Sequence, residues 1–213
     1  MMKFGKTLLA AVCCLFLTFS AAQAEPALVE TARFAAGDMN VNHVYFGATQ
    51  AEADAVFRGE HAVRAETSAA TGSTQQIWEY DGLTLTFNES GALIGASVQN
   101  EAYTGPRGLK LNMTADDVAK LFYVDPQQDN SSVFYAAGYV DALSSYLPPC
   151  GYMQQDPSGT FAFLYLAPVT PYGDDVKADP TNFLYQNTAQ LIIQFSADGK
   201  VVSFTCAQSA LAE

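Results

Sequence analysis

Two stretches decide the reading of this chain: Leu83-Thr84-Leu85-Thr86-Phe87-Asn88-Glu89-Ser90-Gly91 and, just over a hundred residues later, Leu191-Ile192-Ile193-Gln194-Phe195-Ser196-Ala197-Asp198-Gly199. In both, large apolar side chains fall on alternate positions: Leu83, Leu85 and Phe87, then Leu191, Ile193 and Phe195. A period of two marks a strand with one face turned to a core. The closing glycine of each stretch suits the left-handed backbone of a tight turn. A further strand follows each turn, Ala92 to Val98 and Lys200 to Cys206. Upstream of the first hairpin, Ile77 to Tyr80 precedes Asp81-Gly82, a two-residue hairpin signal, so the first copy reads as three antiparallel strands.

A capped helix precedes each hairpin. Thr49-Gln50-Ala51-Glu52 opens one whose apolar face is Ala53, Val56 and Phe57, and Thr114-Ala115-Asp116-Asp117 opens another with Val118, Leu121 and Phe122 at matching positions. Each threonine can accept from free N–H groups of the first turn, and the acid three residues on can close a capping box. Val44 and Phe46 lead into the first helix, Leu109 and Leu111 into the second, and Gly59 and Pro126 stand where the helices should stop. The same order of capped helix, strand, glycine turn and strand, met twice, points to duplication. The second copy is enlarged. It adds Phe161 to Leu166, apolar on both faces and therefore a central strand, and Phe183 to Tyr185. Val133 to Tyr146 reads either as a strand around Phe134-Tyr135 or as a helical stripe of Tyr135, Tyr139 and Leu143. The expected fold class is α+β: two tandem modules, residues 25–104 and 105–213, each a short helix or helix pair packed on an antiparallel β-meander.

The first 24 residues read as a secretory signal. Lys3 and Lys6 precede the apolar run Leu8 to Phe19, and Ala22-Gln23-Ala24 offers the small residues of a cleavage site. The apolar run is too short to cross a bilayer, and no later stretch is long enough to do so. Val12 before Cys13 fits a lipidation site poorly, which favours a freely periplasmic or secreted protein over a lipoprotein. Cleavage removes both signal lysines and none of the 22 acidic residues of a chain whose net charge is already −12. Such a protein lacks the cationic surface that nucleic-acid binding needs. With 49% hydrophobic and 12% aromatic residues it has ample material for a core. After cleavage Cys150 and Cys206 remain, an even pair in an oxidising compartment, and a disulfide between them is expected.

Gly108-Leu109-Lys110-Leu111-Asn112-Met113-Thr114 entering a helix, and Phe195-Ser196-Ala197-Asp198-Gly199-Lys200-Val201 in the last hairpin, resemble the SmpA/OmlA-type module. That module occurs in the small lipoprotein of the outer-membrane β-barrel assembly machinery. A tandem of such modules behind a Sec signal is similar to the β-lactamase inhibitory protein family. Gly47-Ala48-Thr49 and Phe87-Asn88-Glu89-Ser90-Gly91 carry the looser match of the first copy. Asn112 replaces the usual glycine, which suits a left-handed backbone there. The resemblance implies a protein without catalysis that docks another protein through sheet face and loops.

Motifs of chemistry are sparse. His43 and His61 are the only imidazoles and stand in no metal spacing, and neither a nucleophile elbow nor a phosphate loop occurs. Asp174, Asp175 and Asp179 lack the alternating ligand positions of a calcium loop. No catalytic residue, metal or cofactor is expected. The aromatic residues stand out instead. Tyr135, Tyr139, Tyr146 and Tyr152 crowd around Leu147-Pro148-Pro149, and Trp78 and Tyr80 share one strand face. These six are the candidate protein-binding residues, because such side chains give large contact area at low entropic cost. The competing reading makes them a roof over the core. The functional expectation is an exported binding or scaffolding protein whose partner belongs to the envelope or is itself secreted. The alternatives are a small-ligand carrier with an aromatic pocket between the modules, an inhibitor of an envelope or secreted enzyme, and a hydrolase with an unrecognised site.

Overall fold

The computed structural model describes residues 32–67, 72–128, 132–140, 145–155, 160–169 and 188–208. The signal segment with Cys13 and Cys14, the strand expected at Phe183 to Tyr185, and Asp174, Asp175 and Asp179 lie outside the described residues, as do the side chains of Tyr139 and Tyr146. Along the chain come β1 (Asn40–Val41), β2 (Val44–Tyr45), α1 (Gln50–Val56), β3 (Ala62–Thr67), β4 (Thr74–Tyr80), β5 (Leu83–Phe87) and β6 (Leu93–Val98). There follow α2 (Ala115–Leu121), β7 (Val133–Val140), β8 (Ser145–Gln155), β9 (Phe161–Pro168), β10 (Thr188–Phe195) and β11 (Val201–Gln208).

Nine of these strands form one antiparallel sheet in the order β3-β4-β5-β6-β11-β10-β9-β8-β7, and among the described residues β1 pairs only with β2. This corrects the expected fold class. The protein is mostly β, and the only α-helices among the described residues are α1 and α2, of seven residues each. It is not an α+β pair of modules with separate small sheets. The halves share one sheet because β6 pairs with β11, placing Val98 opposite Phe204, Ser97 opposite Thr205 and Ala96 opposite Cys206. Periodicity identifies a strand and its buried face but not its neighbour. Each hairpin ends on a strand with free backbone groups, and joining those two edges satisfies both.

The helix starts form as their residues dictate. Glu52 N donates to Thr49 Oγ1 at 3.3 Å and the Glu52 carboxylate accepts from Thr49 N at 2.7 Å. In α2 the corresponding distances are 3.2 Å and 3.4 Å, the second longer because Asp117 is one methylene shorter than Glu52. The two segments superpose in backbone character as well. Positive φ occurs at Asn42 and Arg107, at His43 and Gly108, and at Gly47 and Asn112, three pairs with one common spacing. Thr49 bridges Ala92 while Thr114 bridges Lys200. Asn42-His43 is the two-residue turn between β1 and β2, closed by the pair Val41 and Val44, and positive φ at both central residues makes it type I′.

One face of the sheet, the inner face, packs against both helices. Ala53 and Phe57 from the first helical segment and Val118 and Phe122 from the second join Leu85, Phe87, Leu191 and Phe195 in one core. Phe34, ahead of β1, enters the same core from the N-terminal side, 6.1 Å from Phe122 and 6.3 Å from Tyr165 between ring centres. Val56 does not join it: 47% exposed, it falls off the apolar stripe in the last turn of a short helix. Two strands had little signal. Every residue of β3 is exposed, so it carries no alternation, and β8 runs through Pro148-Pro149 and Gly151. The ambiguous Val133 region is a strand, bulged at two points against β8.

Candidate functional site: the outer face of the sheet

The strand registers line residues up across all nine strands. One row on the inner face reads Val63, Trp78, Leu85, Ala96, Cys206, Leu191, Tyr165, Gly151 and Tyr135. The neighbouring outer-face row reads Arg64, Ile77, Thr86, Gly95, Ala207, Gln190, Leu166, Cys150 and Ala136. Because alternate residues point to opposite sides, the two rows separate most of the sequence candidates.

The cysteines are separated first. Cys206 points inward and Cys150 outward, three strands apart, and both are free thiols. Three strand spacings amount to about 14 Å, twice the reach of a disulfide. The expected Cys150–Cys206 bridge is therefore corrected: an even count in an oxidising compartment says nothing about which face each thiol occupies. Burial pushes both thiols up to about 12, so neither is a ready nucleophile.

The aromatic candidates divide in the same way. Tyr135 is fully buried on the inner face, and its hydroxyl accepts from Phe34 N at 3.2 Å. It stacks with Tyr165 above Gly151, where a Cβ would lie 2.8 Å from each ring. Burial raises the hydroxyl pKa of both tyrosines. Trp78 is 8% exposed and packs on Phe87 at 4.7 Å, with the His61 ring stacked on it at 4.6 Å. Tyr80 is half-buried beside His61 and Phe57, and its hydroxyl pKa is raised by burial and then by Asp54. Trp78, Tyr80 and Tyr135 are thus core roof. Tyr152 alone, of the four candidates whose side chains are described, lies on the outer face.

A sheet face was the expected docking surface, but the sequence singled out only Tyr152 as a binding candidate among the described residues of this outer one. Its second row runs Ala62, Glu79, Thr84, Ser97, Thr205, Ile192, Leu164, Tyr152 and Val133. Charge is confined to the β3–β4 side, with Arg64 bonded to Glu79 at 3.0 Å. Hydroxyls fill the middle, where Thr205 Oγ1 meets Ser97 Oγ at 3.3 Å. Leucine, isoleucine and tyrosine fill the β10–β8 side. A depression of about 250 Å³ opens around Gly95, lined by Thr84, Thr86, Ser97, Thr205 and Ala207. Both helices pack on the other side, so no described helix covers this face. The period-two pattern of β5 and β6 contained it as the polar half of each alternation.

Two other features lie away from this face. Arg107, at φ +55°, donates to the carbonyls of Leu121 at 3.1 Å and Arg33 at 2.9 Å and also bonds Ala32 O. It pairs with Asp38 at 2.7 Å and lies over the Phe122 ring. Its only sequence signal was its place before Gly108. His43, at the exposed tip of the β1–β2 turn, borders a cleft of about 280 Å³ with Asn40, Asn42, Tyr45, Thr104 and Arg107. Among the described residues no three His, Cys, Asp or Glu side chains converge on a metal-sized site, and no helix is long and apolar enough to cross a membrane.

No family model matches the chain, and no curated protein matches it. Among solved structures it is similar to the crystal structure of the uncharacterized protein yfeY from Escherichia coli. The identity is 12%, with 84% of this chain and 99% of that chain covered, at a TM-score of 0.30.

Proposed function

We propose that this is an exported, non-enzymatic binding protein that engages an envelope or secreted protein through the outer face of its sheet. The observation that supports this reading is the grading of that face. Low-charge, short side chains in its middle (Thr84, Thr86, Gly95, Ser97, Thr205 and Ala207) let a partner approach the backbone closely, while Ile192, Leu164 and Tyr152 offer apolar area beside them. Interfaces combine apolar area with polar surroundings, and this face sets the two side by side. The signal-like N-terminus supplies the compartment, and the SmpA/OmlA-type motifs supply the precedent for docking without catalysis. Trp78, Tyr80 and Tyr135 are not part of the binding surface in this proposal.

The test is site-specific photo-crosslinking in the producing cell, with the probe placed at Thr205 on the outer face or at Asp54 on α1. A discrete adduct from Thr205 that is absent from Asp54, and abolished by Ile192→Glu in a chain of unchanged melting temperature, is the expected result. Equal adducts from both positions, or none from Thr205, would refute the assignment of the face.

A further inference from the structure

We propose that β3 pairs edge to edge with β3 of a second copy of this chain, antiparallel about a twofold axis at Ala65. Among the described residues β3 ends the sheet and has β4 as its sole neighbour, with all six of its residues exposed. Its register against β4 is unbroken from Ala62 to Thr67, so the backbone groups of its free side form a regular ladder. The opposite edge, β7, is interrupted by bulges at two points, a device that discourages pairing.

The side chains select the partner and the register. Arg64 and Glu66 flank Ala65 and share the outer face. Antiparallel pairing centred on Ala65 sets Arg64 opposite Glu66 of the second copy, and the twofold axis repeats the match. Sliding two residues either way sets Arg64 opposite Arg64 or Glu66 opposite Glu66, which is destabilising. Sliding one residue turns the second copy's outer face inward. Within one chain Arg64 already uses Nε on Glu79 and Nη1 on Glu66, which leaves Nη2 without a bond among the described residues. That donor is the one a second Glu66 can take. A six-residue edge falls short of the roughly 1,200 Å² of stable interfaces, so the pairing is weak and concentration-dependent.

Sedimentation velocity of the purified protein, from about 10 µM to about 1 mM, reads the self-association. The wild type is expected to dimerise in that range, and Arg64→Glu or Glu66→Arg alone to weaken it about tenfold or more. The double variant Arg64→Glu/Glu66→Arg restores the match and should regain the dimer. Ala65→Cys reports the register, because opposed residues in an antiparallel pair lie within disulfide range; it should crosslink two copies on oxidation, while Val63→Cys should not. A wild type that stays monomeric, single variants that associate as the wild type does, or equal crosslinking from both cysteines would overturn the proposal. So would an edge that takes up an extended peptide of another protein but never a second copy.

Discussion

Replacing Arg107 by Met tests whether the N-terminal segment is a structural part of the core. The guanidinium joins three pieces of chain: it bonds the carbonyls of Ala32 and Arg33, the Asp38 carboxylate, and the Leu121 carbonyl at the end of α2. The pair with Asp38 is largely shielded, at 20% and 23% side-chain exposure. Hydrogen bonds to charged groups are worth about 1.5–3 kcal/mol each, but such values do not add within one network. The Ala32 and Arg33 carbonyls sit at an exposed rim and rehydrate once released. What stays costly is the Leu121 carbonyl, the lost contact over the Phe122 ring, and any withdrawal of Phe34 from between Phe122 and Tyr165. Methionine keeps most of the apolar stem. The net cost comes to about 2–4 kcal/mol, which at about 2–4 °C per kcal/mol for a chain of this size lowers the melting temperature by roughly 5–15 °C. Arg107→Lys, which keeps the charge but loses the fork, should fall between the two. Calorimetry gives the shift, and limited proteolysis shows whether the chain around Phe34 becomes cleavable. A variant that melts within 2 °C of the wild type and keeps that segment protected would refute the clamp.

Alkylation of the native protein at pH 8 should leave Cys150 and Cys206 unmodified, with both labelled after denaturation; rapid native labelling, or a Cys150–Cys206 bridge on mass mapping, would contradict the face assignment. Gly151→Ala forces a methyl group against Tyr135 and Tyr165 and should cost about 1–3 kcal/mol in chemical denaturation, whereas Gly37→Ala, with open space at its Cβ, should cost far less. The Thr49 and Thr114 hydrogen bonds hold the Glu52 and Asp117 carboxylates below their ordinary values of 4.5 and 3.8. A lowered folded-state pKa contributes stability that is present above the ordinary value and lost as pH falls below it, so the helix starts should loosen in acid and the Glu52→Gln/Asp117→Asn protein should lose less stability over that range. Identical acid-unfolding curves for the two proteins would contradict the caps.

Local structure was legible wherever one side chain settled its own environment. The threonine caps, the alternation of Leu83 to Phe87 and Leu191 to Phe195, and the glycine turns all form as written. Asn112, read as tolerable only in a left-handed backbone, has φ +64°. What could not be read was everything decided by a neighbour in space. Nothing in Ala92 to Val98 says that its free edge will meet β11, and that pairing converts two modules into one sheet. The tyrosines show the same limit. Tyr135 and Tyr152 are alike in a sequence, yet bulges in the β7–β8 ladder and the alternation of β8 send one into the core and leave the other on the outer face. Arg107 was invisible because three of its partners are backbone carbonyls, which carry no residue signature, and the carboxylate it pairs with, Asp38, stands far away in sequence.

The pairing of Ser97 with Thr205 ties the fold to the proposed binding face. These residues are 108 apart, the spacing that relates the turn of the first hairpin to that of the second, as with Gly91 and Gly199. Each is therefore the counterpart of the other, and they stand opposite one another at the β6–β11 junction, hydroxyl to hydroxyl. A residue that faces its own counterpart marks a local twofold axis, and antiparallel strands are the arrangement that permits one. The shared sheet has the geometry that two equivalent units would make on joining by equivalent edges. On this argument both helices must fall on the same side, because a twofold axis perpendicular to a sheet carries each side onto itself. Among the described residues the opposite side is left without a helix in both halves at once, and the hydroxyl-rich centre of the outer face lies at the axis because the junction creates it.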